Sequence, residues 1–232
     1  MFGTRPEAVK LAPVVHALKE SAELEPVVAI TAQHREMLDQ MMKWFDVKAD
    51  YDLDLMKHGQ TLAELTSRVV LGMDDLLSRD RPDMLLVQGD TVTVMAASLA
   101  AFYHKIPVGH VEAGLRTNDR YNPFPEEMSR RQTGRIATMH FAPTDLAVKN
   151  LAAEGITENV FMTGNTVIDA LLDTAGRLSE ETIDKQLFGA ADFDRYKVLL
   201  VTAHRRENWG QGMDEIALAL RHIAEEFPDV QV

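Results

Sequence analysis

The chain has 232 residues, 46% hydrophobic and 26% charged, which is the composition of a globular protein and excludes a disordered one. Its net charge of −12 argues against general binding to nucleic acid, because phosphate contacts need clustered Lys and Arg. The absence of cysteine excludes disulfides and thiolate metal sites and is what we expect of a cytoplasmic protein. No apolar run approaches the ~20 residues of a membrane span and no signal peptide opens the chain, so we expect no membrane partner.

Helical and strand-like periods alternate along the chain. The spacing of apolar residues predicts helices at residues 6–20, 34–45, 60–78, 92–104, 126–136, 145–154 and 165–178. Short apolar or β-branched runs predict strands at residues 26–31, 83–87, 107–111, 140–142 and 197–203, the first and the last of them buried. Strands separated by helices in this way indicate an α/β protein with a parallel, doubly wound sheet.

Both ends of the chain suggest incomplete domains. Residues 2–4 form a strand-to-helix turn with almost no strand before them, and residues 230–232 look like the start of a new strand. The part after residue 164 would give a helix, a strand, a second helix and a piece of strand, which is too little for an independent core. We therefore expect a first domain at residues 1–164 whose first strand is missing, followed by a truncated second domain at residues 165–232.

Carboxylates follow two of the predicted strands at the point where each strand ends. Asp90 follows the strand at residues 83–87, and Glu112 follows the strand at residues 107–111. The carboxyl ends of the strands form the ligand side of an open parallel sheet, and neighbouring acids there are what general acid–base chemistry requires. A simpler interpretation stays open at the first position, because Asp90 or Thr91 could merely cap the following helix.

Two further segments could contribute to the same site. Glu126 and Glu127 open a predicted helix, where acids also occur simply because they favour the helix dipole, and the sequence does not choose between these interpretations. The segment GTRPEA at residues 3–8 is a glycine turn that leads into a helix. Arg5 in this turn could hold a phosphate beside the helix N-terminus, although a plain turn is the simpler interpretation.

A basic cluster follows the most apolar predicted strand. His204 and Arg205 come directly after residues 197–203, and a His at a strand end is less expected in a core than one inside an amphipathic helix. Carboxylates facing such a cluster suit an anionic substrate in which a carbon atom gains and loses a proton. We expect no catalytic metal, because the H-x-E pattern of His110 and Glu112 lacks the Cys ligands of zinc deaminases and no HExxH motif is present.

The motifs together resemble one family. The chain contains, in order, the segments FGTRPEAVKLAP, TAQHREMLDQ, QGDTVTVMAASLAAFY, IPVGHVEAGLRT, PFPEEMSRR, TGNTVIDALL and TAHRRENWG. These segments resemble the bacterial non-hydrolysing UDP-N-acetylglucosamine 2-epimerases over almost the whole chain. The resemblance implies the glycosyltransferase-B arrangement of two Rossmann-like domains, with the second only partly present here. It also implies interconversion of UDP-GlcNAc and UDP-ManNAc without a cofactor, for surface polysaccharides, in a homodimer.

The resemblance also implies roles for individual residues. The family expels UDP to give 2-acetamidoglucal and then adds UDP back with the opposite configuration at carbon 2. The matching catalytic residues are Asp90, Glu112, Glu126 and His204. The matching substrate-binding residues are Arg5, Lys10, Arg116 and Arg205. The family also uses UDP-GlcNAc as an activator at a second site, for which the matching residues are Gln33, Glu126 and Arg205.

Three other functions are compatible with this sequence. A hydrolysing epimerase, which releases free ManNAc and UDP, shares the fold and much of the site. A non-enzymatic binding or structural module is favoured by the chain length. A glycosyltransferase would have the same architecture with an additional acceptor site.

Overall fold

The computed structural model describes residues 1–31, 35–55, 57, 59–178, 191–203 and 210–232. These residues form two compact units, Met1–Gly176 and Arg177–Val232. The first unit therefore extends past the domain boundary that we predicted after residue 164, and the placement of that boundary stays a prediction. No helix in the described parts of the chain combines the length and apolarity that a membrane crossing needs.

The first unit is built on parallel strands. They are β1 (Ala29–Ile30), β2 (Tyr51–Asp52), β3 (Leu85–Gln88), β4 (Val108–Val111), β5 (Met139–Ala142) and β6 (Val160–Met162). The last four form one sheet in the order β3-β4-β5-β6, and β1 pairs with β2. Phe2 bridges Ile30 in parallel, and the amino group of Met1 donates to the Leu86 carbonyl over 2.9 Å. Residues 1–2 thus lie between β1 and β3, and the predicted parallel sheet is confirmed.

Helices cover both faces of this sheet, as predicted for a doubly wound fold. They are α1 (Arg5–Glu20), α2 (Arg35–Trp44), α3 (Leu62–Arg79), α4 (Val92–Tyr103), α5 (Glu126–Ile136), α6 (Asp145–Ala153) and α7 (Thr166–Arg177). One apolar cluster joins α3 and α4 to strand residues such as Val87 and Val108, which are buried. A second joins α1 and α2 to Ile30 and Val111. Side chains alternate along each strand, so the two clusters lie on opposite faces.

Threonine caps explain where several of these helices begin. Thr4 caps α1 and Thr61 caps α3, and each forms a capping box with the glutamate three residues later. Thr91 caps α4 and Thr144 caps α6 by accepting a hydrogen bond from the backbone N–H three residues on. These local signals fix helix starts within a residue or two of the predicted ones.

The second unit departs from the sequence prediction. We expected a buried strand at residues 197–203, but β7 covers only Lys197–Val198, in parallel with β8 (Val230–Gln231). Leu200, in the same apolar run, is 92% exposed, so the prediction of burial was wrong. The physical reason is that a strand is buried only when other layers cover it. The described helix of this unit, α8 (Gln211–Glu226), contributes no buried residue.

Candidate active site

The carboxyl ends of β3 and β4 bring two predicted catalytic residues to one edge of the sheet. Gln88, the last residue of β3, is in register with Val111, the last residue of β4. Asp90 follows β3 after Gly89, which has a φ of 83°, and Glu112 follows β4 directly with a φ of 64°. A positive φ is uncommon for a non-glycine residue and is retained where surrounding contacts hold it. Glu112 is held in this way.

Within the described ranges, three side chains from different parts of the chain contact Glu112. The Lys10 ammonium of α1 forms an ion pair with Oε2, and the Gln88 amide donates to the same oxygen. The Asn165 amide donates to the other oxygen, Oε1, over 3.5 Å. The Glu112 side chain retains only 11% of its exposure. The predicted substrate-binding residue Lys10 therefore lies beside a predicted catalytic carboxylate, whereas sequence reasoning gave Gln88 and Asn165 no role.

A guanidinium holds the other strand-end carboxylate. Arg130 of α5 donates to Asp90 Oδ2, and it also donates to Glu127 over 2.9 Å and to the Leu115 carbonyl over 3.1 Å. The Arg130 side chain is 8% exposed, whereas that of Asp90 is 29% exposed. Sequence reasoning missed Arg130. The spacing of three residues from Glu127 along one helix was the available signal.

The two acids that open α5 have different surroundings. Glu127 is fully buried and accepts from the backbone N–H groups of Thr117 (3.1 Å) and Asn118 (3.3 Å), as well as from Arg130 and Arg131. Burial alone would raise the pKa of the Glu127 carboxyl, but these donors outweigh it and hold the pKa below its usual range. Glu127 is thus an ionised residue of the protein interior.

Glu126 is different. It is half-buried at the first position of α5, and we find no hydrogen bond or ion pair from it to another residue that the structure describes. Its position leaves the carboxylate available to a ligand. The catalytic and activator-binding roles that the resemblance implies for Glu126 stay predictions.

Glu7 joins the first turn of α1 to the first turn of α4. Its Oε2 accepts from the backbone N–H groups of Gly3 (2.6 Å) and Thr4 (3.0 Å), and its Oε1 accepts from the Thr91 hydroxyl (2.6 Å). Thr91 in turn accepts from the N–H of Val94 over 3.2 Å. Thr91, and not Asp90, is therefore the cap of α4, which leaves the Asp90 carboxylate free for Arg130. Burial raises the pKa of the Glu7 carboxyl.

Arg5 occupies the first position of α1, next to this turn. It is exposed, and no ion pair joins it to another described residue. A cation beside the positive end of a helix dipole suits an anionic ligand. The structure therefore places Arg5 where a phosphate could reach it, and substrate contact stays a prediction.

His110, on β4, supports the turn that precedes Asp90. Its Nε2 lies 2.7 Å from the Gly89 carbonyl, and the side chain is 1% exposed. Burial lowers the pKa of His110 to about 4, although the hydrogen bond to Gly89 works against this shift. The imidazole is consequently neutral near neutral pH and donates through Nε2. This hydrogen bond restrains the Gly89–Asp90 peptide.

Other predicted residues are not brought to this cluster. Arg116 is 2% exposed, and its guanidinium donates to both carboxylate oxygens of Glu154, over 2.7 and 2.8 Å. This geometry is that of a structural ion pair, and the predicted substrate contact of Arg116 stays a prediction. Gln33, His204 and Arg205 lie outside the described residues. Within the described ranges, no group of three or more His, Asp or Glu side chains is arranged to hold a metal ion.

The fold and this site define an α/β protein of the doubly wound type, with acids and cations gathered at the ligand edge of a parallel sheet. The family model described as UDP-N-acetylglucosamine 2-epimerase matches residues 16–232. The chain belongs to the UDP-N-acetylglucosamine 2-epimerase family. The predicted membership is thereby confirmed.

Individual relatives agree with this result. The chain is 51% identical to the UDP-N-acetylglucosamine 2-epimerase of Yersinia pestis, over all of this chain and 63% of that protein. The crystal structure of UDP-GlcNAc 2-epimerase from Neisseria meningitidis bound to UDP-GlcNAc matches with a TM-score of 0.92 at 50% identity, covering 99% of this chain and 63% of the other. The enzyme from Methanocaldococcus jannaschii, in complex with UDP-GlcNAc and UDP, matches with a TM-score of 0.82 at 33% identity, covering 99% and 63%.

These similarities confirm the predicted glycosyltransferase-B type of α/β fold. The chain spans about three fifths of the length of these relatives, 63% in each case.

Proposed function

We propose that the complete protein carrying this chain interconverts UDP-GlcNAc and UDP-ManNAc by inverting carbon 2 of the sugar. The family membership and the UDP-GlcNAc bound to the Neisseria meningitidis structure support this proposal. The observation that carries it is the pair of strand-end carboxylates, in which Asp90 contacts Arg130 and Glu112 contacts Lys10. Acids that are held by cations at one sheet edge suit proton transfer beside an anionic leaving group.

The proposed reaction is an elimination followed by re-addition. Carbon 2 has no adjacent carbonyl, so its proton is not acidic enough for simple abstraction. A carboxylate takes the proton, the electrons of the C2–H bond form a double bond between carbons 1 and 2, and the C1–O bond breaks with its electrons leaving on UDP. UDP then adds back to the resulting 2-acetamidoglucal while a proton is delivered to the opposite face of carbon 2. The two steps together are redox-neutral, so the reaction needs no oxidant or reductant.

The surroundings of Glu112 favour a direct part in this proton transfer. Its Oε2 accepts from Lys10 and Gln88, whereas Oε1 accepts, among the described residues, only from the Asn165 amide over 3.5 Å. Oε1 is therefore the oxygen with capacity to accept a further hydrogen. A single carboxylate does not easily reach both faces of a sugar ring, so we propose that Asp90 or Glu126 serves the second face.

The remaining residues act on the leaving group in this proposal. Developing negative charge on a diphosphate is stabilised by preorganised cations and N–H donors. We propose this role for His204 and for Arg5, Lys10, Arg116 and Arg205. Of these residues, Lys10 lies beside Glu112 in the described structure. We propose that the diphosphate binds next to this ion pair.

Solvent deuterium tests the mechanism. The complete protein is incubated with UDP-GlcNAc in deuterium oxide without added nicotinamide or metal, and proton NMR follows the product. We expect UDP-ManNAc with deuterium at carbon 2, because the returned proton comes from a group that exchanges with water. Product that keeps its original hydrogen would contradict elimination and re-addition. Free ManNAc with UDP would indicate the hydrolysing reaction, and no product would indicate a binding module or a glycosyltransferase.

Two further properties belong to the same proposal. We propose that UDP-GlcNAc also activates the enzyme at a second site that includes Gln33, Glu126 and Arg205, and that the product supplies ManNAc for surface polysaccharides. A rate that rises more steeply than hyperbolically with UDP-GlcNAc concentration would support the activator site. Simple saturation kinetics would contradict it.

We also propose a homodimer. A surface groove of about 540 Å³ between α4 and α5 is lined by the apolar side chains of Met95, Leu99, Met128 and Ile136, together with the polar side chains of Arg131, Gln132, Arg135 and Glu154. Phe102 and Tyr103, at the end of α4, are 60% and 62% exposed. Exposed apolar surface of this kind favours association. Light scattering after size exclusion should give twice the monomer mass, and a monomer at micromolar concentration would contradict the proposal.

A further inference from the structure

The buried carboxyl group of Glu7 takes no part in the proposed chemistry. Glu7 is 2% exposed and lies in the first turn of α1, yet it makes a hydrogen bond to Thr91, 84 residues further along the chain. Burying a carboxyl group is costly unless every oxygen finds a donor. Both oxygens of Glu7 do so: Oε2 accepts from Gly3 and Thr4, and Oε1 accepts from Thr91.

Each of the two segments that Glu7 joins carries a candidate site residue. Gly3 and Thr4 precede Arg5, the exposed cation at the start of α1. Thr91 follows Asp90, the carboxylate held by Arg130. We infer that Glu7 is a positioning residue, which fixes the turn of Arg5 and the turn of Asp90 at one constant separation. This inference rests on the proposed function, because it concerns the same site.

The chain contains a natural comparison for this role. Glu64 occupies the same position in the capping box of α3 as Glu7 does in that of α1. Its carboxylate accepts from the Thr61 N–H over 2.7 Å and from the Thr61 hydroxyl over 3.0 Å, and its own N–H donates back to that hydroxyl over 3.2 Å. Glu64 is exposed, and each of these bonds stays within three residues. The capping function alone therefore explains Glu64, whereas Glu7 makes an additional bond to a second helix.

The geometry needs the shape of the Glu7 side chain and not its charge. In a Glu7→Gln variant the amide oxygen can still accept from Gly3 and Thr4, and the amide nitrogen can donate to the Thr91 hydroxyl, which accepts as well as donates. A Glu7→Ala variant loses all three bonds. A positioning role thus predicts that Gln rescues what Ala removes, while a direct role in proton transfer predicts that both variants fail.

Turnover by the complete protein is the first test. Epimerisation is measured well below the melting temperature and expressed per folded molecule, with folded fraction taken from circular dichroism. We expect kcat of Glu7→Ala to fall about 10- to 100-fold, the size of effect that displacement of a catalytic group by about 1 Å produces. Glu7→Gln should stay within about threefold of the unchanged protein, and so should the matched control Glu64→Ala.

Thr91 tests the other end of the link. Thr91→Ser retains a hydroxyl for both Glu7 and the Val94 N–H, whereas Thr91→Val loses both contacts at nearly the same volume. We expect Thr91→Val to lower kcat and Thr91→Ser to leave most of it. Glu7→Ala within threefold of the unchanged protein would overturn the inference, and so would equal losses in Glu7→Ala and Glu7→Gln. No epimerase activity in the unchanged protein would instead refute the proposed function.

Hydrogen exchange tests the link without relying on activity. Glu7→Ala and Glu64→Ala each lose their own capping box, so exchange near residue 4 or near residue 61 should rise in the respective variant. Only Glu7→Ala should also raise exchange of the amides at residues 91–95, the first turn of α4, by at least about threefold. Unchanged protection of that turn in Glu7→Ala would show that the two segments are not coupled.

Discussion

Replacing Arg130 by Met should weaken both the stability of the first unit and the chemistry of the site. The change removes a guanidinium that is 8% exposed and contacts Asp90, Glu127 and the Leu115 carbonyl. Removing one partner of a buried ion pair typically costs about 3–5 kcal/mol. We expect the lower end, about 3 kcal/mol, because Arg131 still contacts Glu127 and water can reach Asp90. Catalytic efficiency should fall about 100-fold, because Asp90 loses the group that orients it.

Trp44 offers a probe for this measurement. It lies on α2 in the first unit, and its Nε1 donates to the Thr174 hydroxyl over 3.2 Å. Urea unfolding of the complete protein, followed by Trp44 fluorescence with the other tryptophans replaced by Phe, should report the free energy of this unit. Arg81→Met is the matched control: Arg81 lies in the same unit, is exposed and makes no ion pair with the described residues, so we expect a change below about 0.5 kcal/mol.

A double variant separates the two effects. In Arg130→Met with Glu127→Gln, the buried charge that Arg130 neutralised is gone, so stability should recover by about half. Activity should not recover, because Asp90 still lacks its partner. A stability loss below about 1 kcal/mol in Arg130→Met alone would refute this account of the network. Full recovery of activity in the double variant would show that Arg130 does not position Asp90.

Glu112→Gln should lower kcat/KM of the complete protein by about 10²- to 10⁴-fold while circular dichroism stays unchanged, and a loss below about tenfold would make Glu112 structural. The pKa of His110 is lowered to about 4 in the folded protein, so the unfolded chain binds a proton more readily once the pH falls below the usual value of 6.5. The free energy of unfolding, measured with urea, should therefore decrease by about 2 kcal/mol from about pH 7 to about pH 5. That loss should shrink in His110→Gln, and an equal loss in both proteins would assign it to other groups. Glu154→Ala leaves the Arg116 guanidinium buried without its partner and should destabilise the first unit by about 3 kcal/mol, whereas a raised KM without destabilisation would place Arg116 on the substrate.

The sequence alone was sufficient for the features that local interactions fix. The Thr caps of α1, α3 and α4 depend on hydrogen bonds within one turn, so the starts of these helices could be predicted to within two residues without the fold. The alternation of helices with short apolar strands predicted the parallel sheet. Because parallel strands end at one edge, the same pattern predicted that Asp90 and Glu112 would lie near each other.

The tertiary structure decided which of the acidic side chains form ion pairs, and with which partners. The partner of Asp90 is Arg130, 40 residues away, and the partner of Glu112 is Lys10, 102 residues away. Likewise, the sequence could not tell that Glu127 is buried and Glu126 only half-buried. Adjacent residues on a helix point in different directions, and only the packing of the fold defines what each one meets. Burial of residues 197–203 failed as a prediction for the same reason. Hydrogen bonds within a turn can be read along the chain, whereas burial and long-range ion pairs depend on which segments the fold brings together.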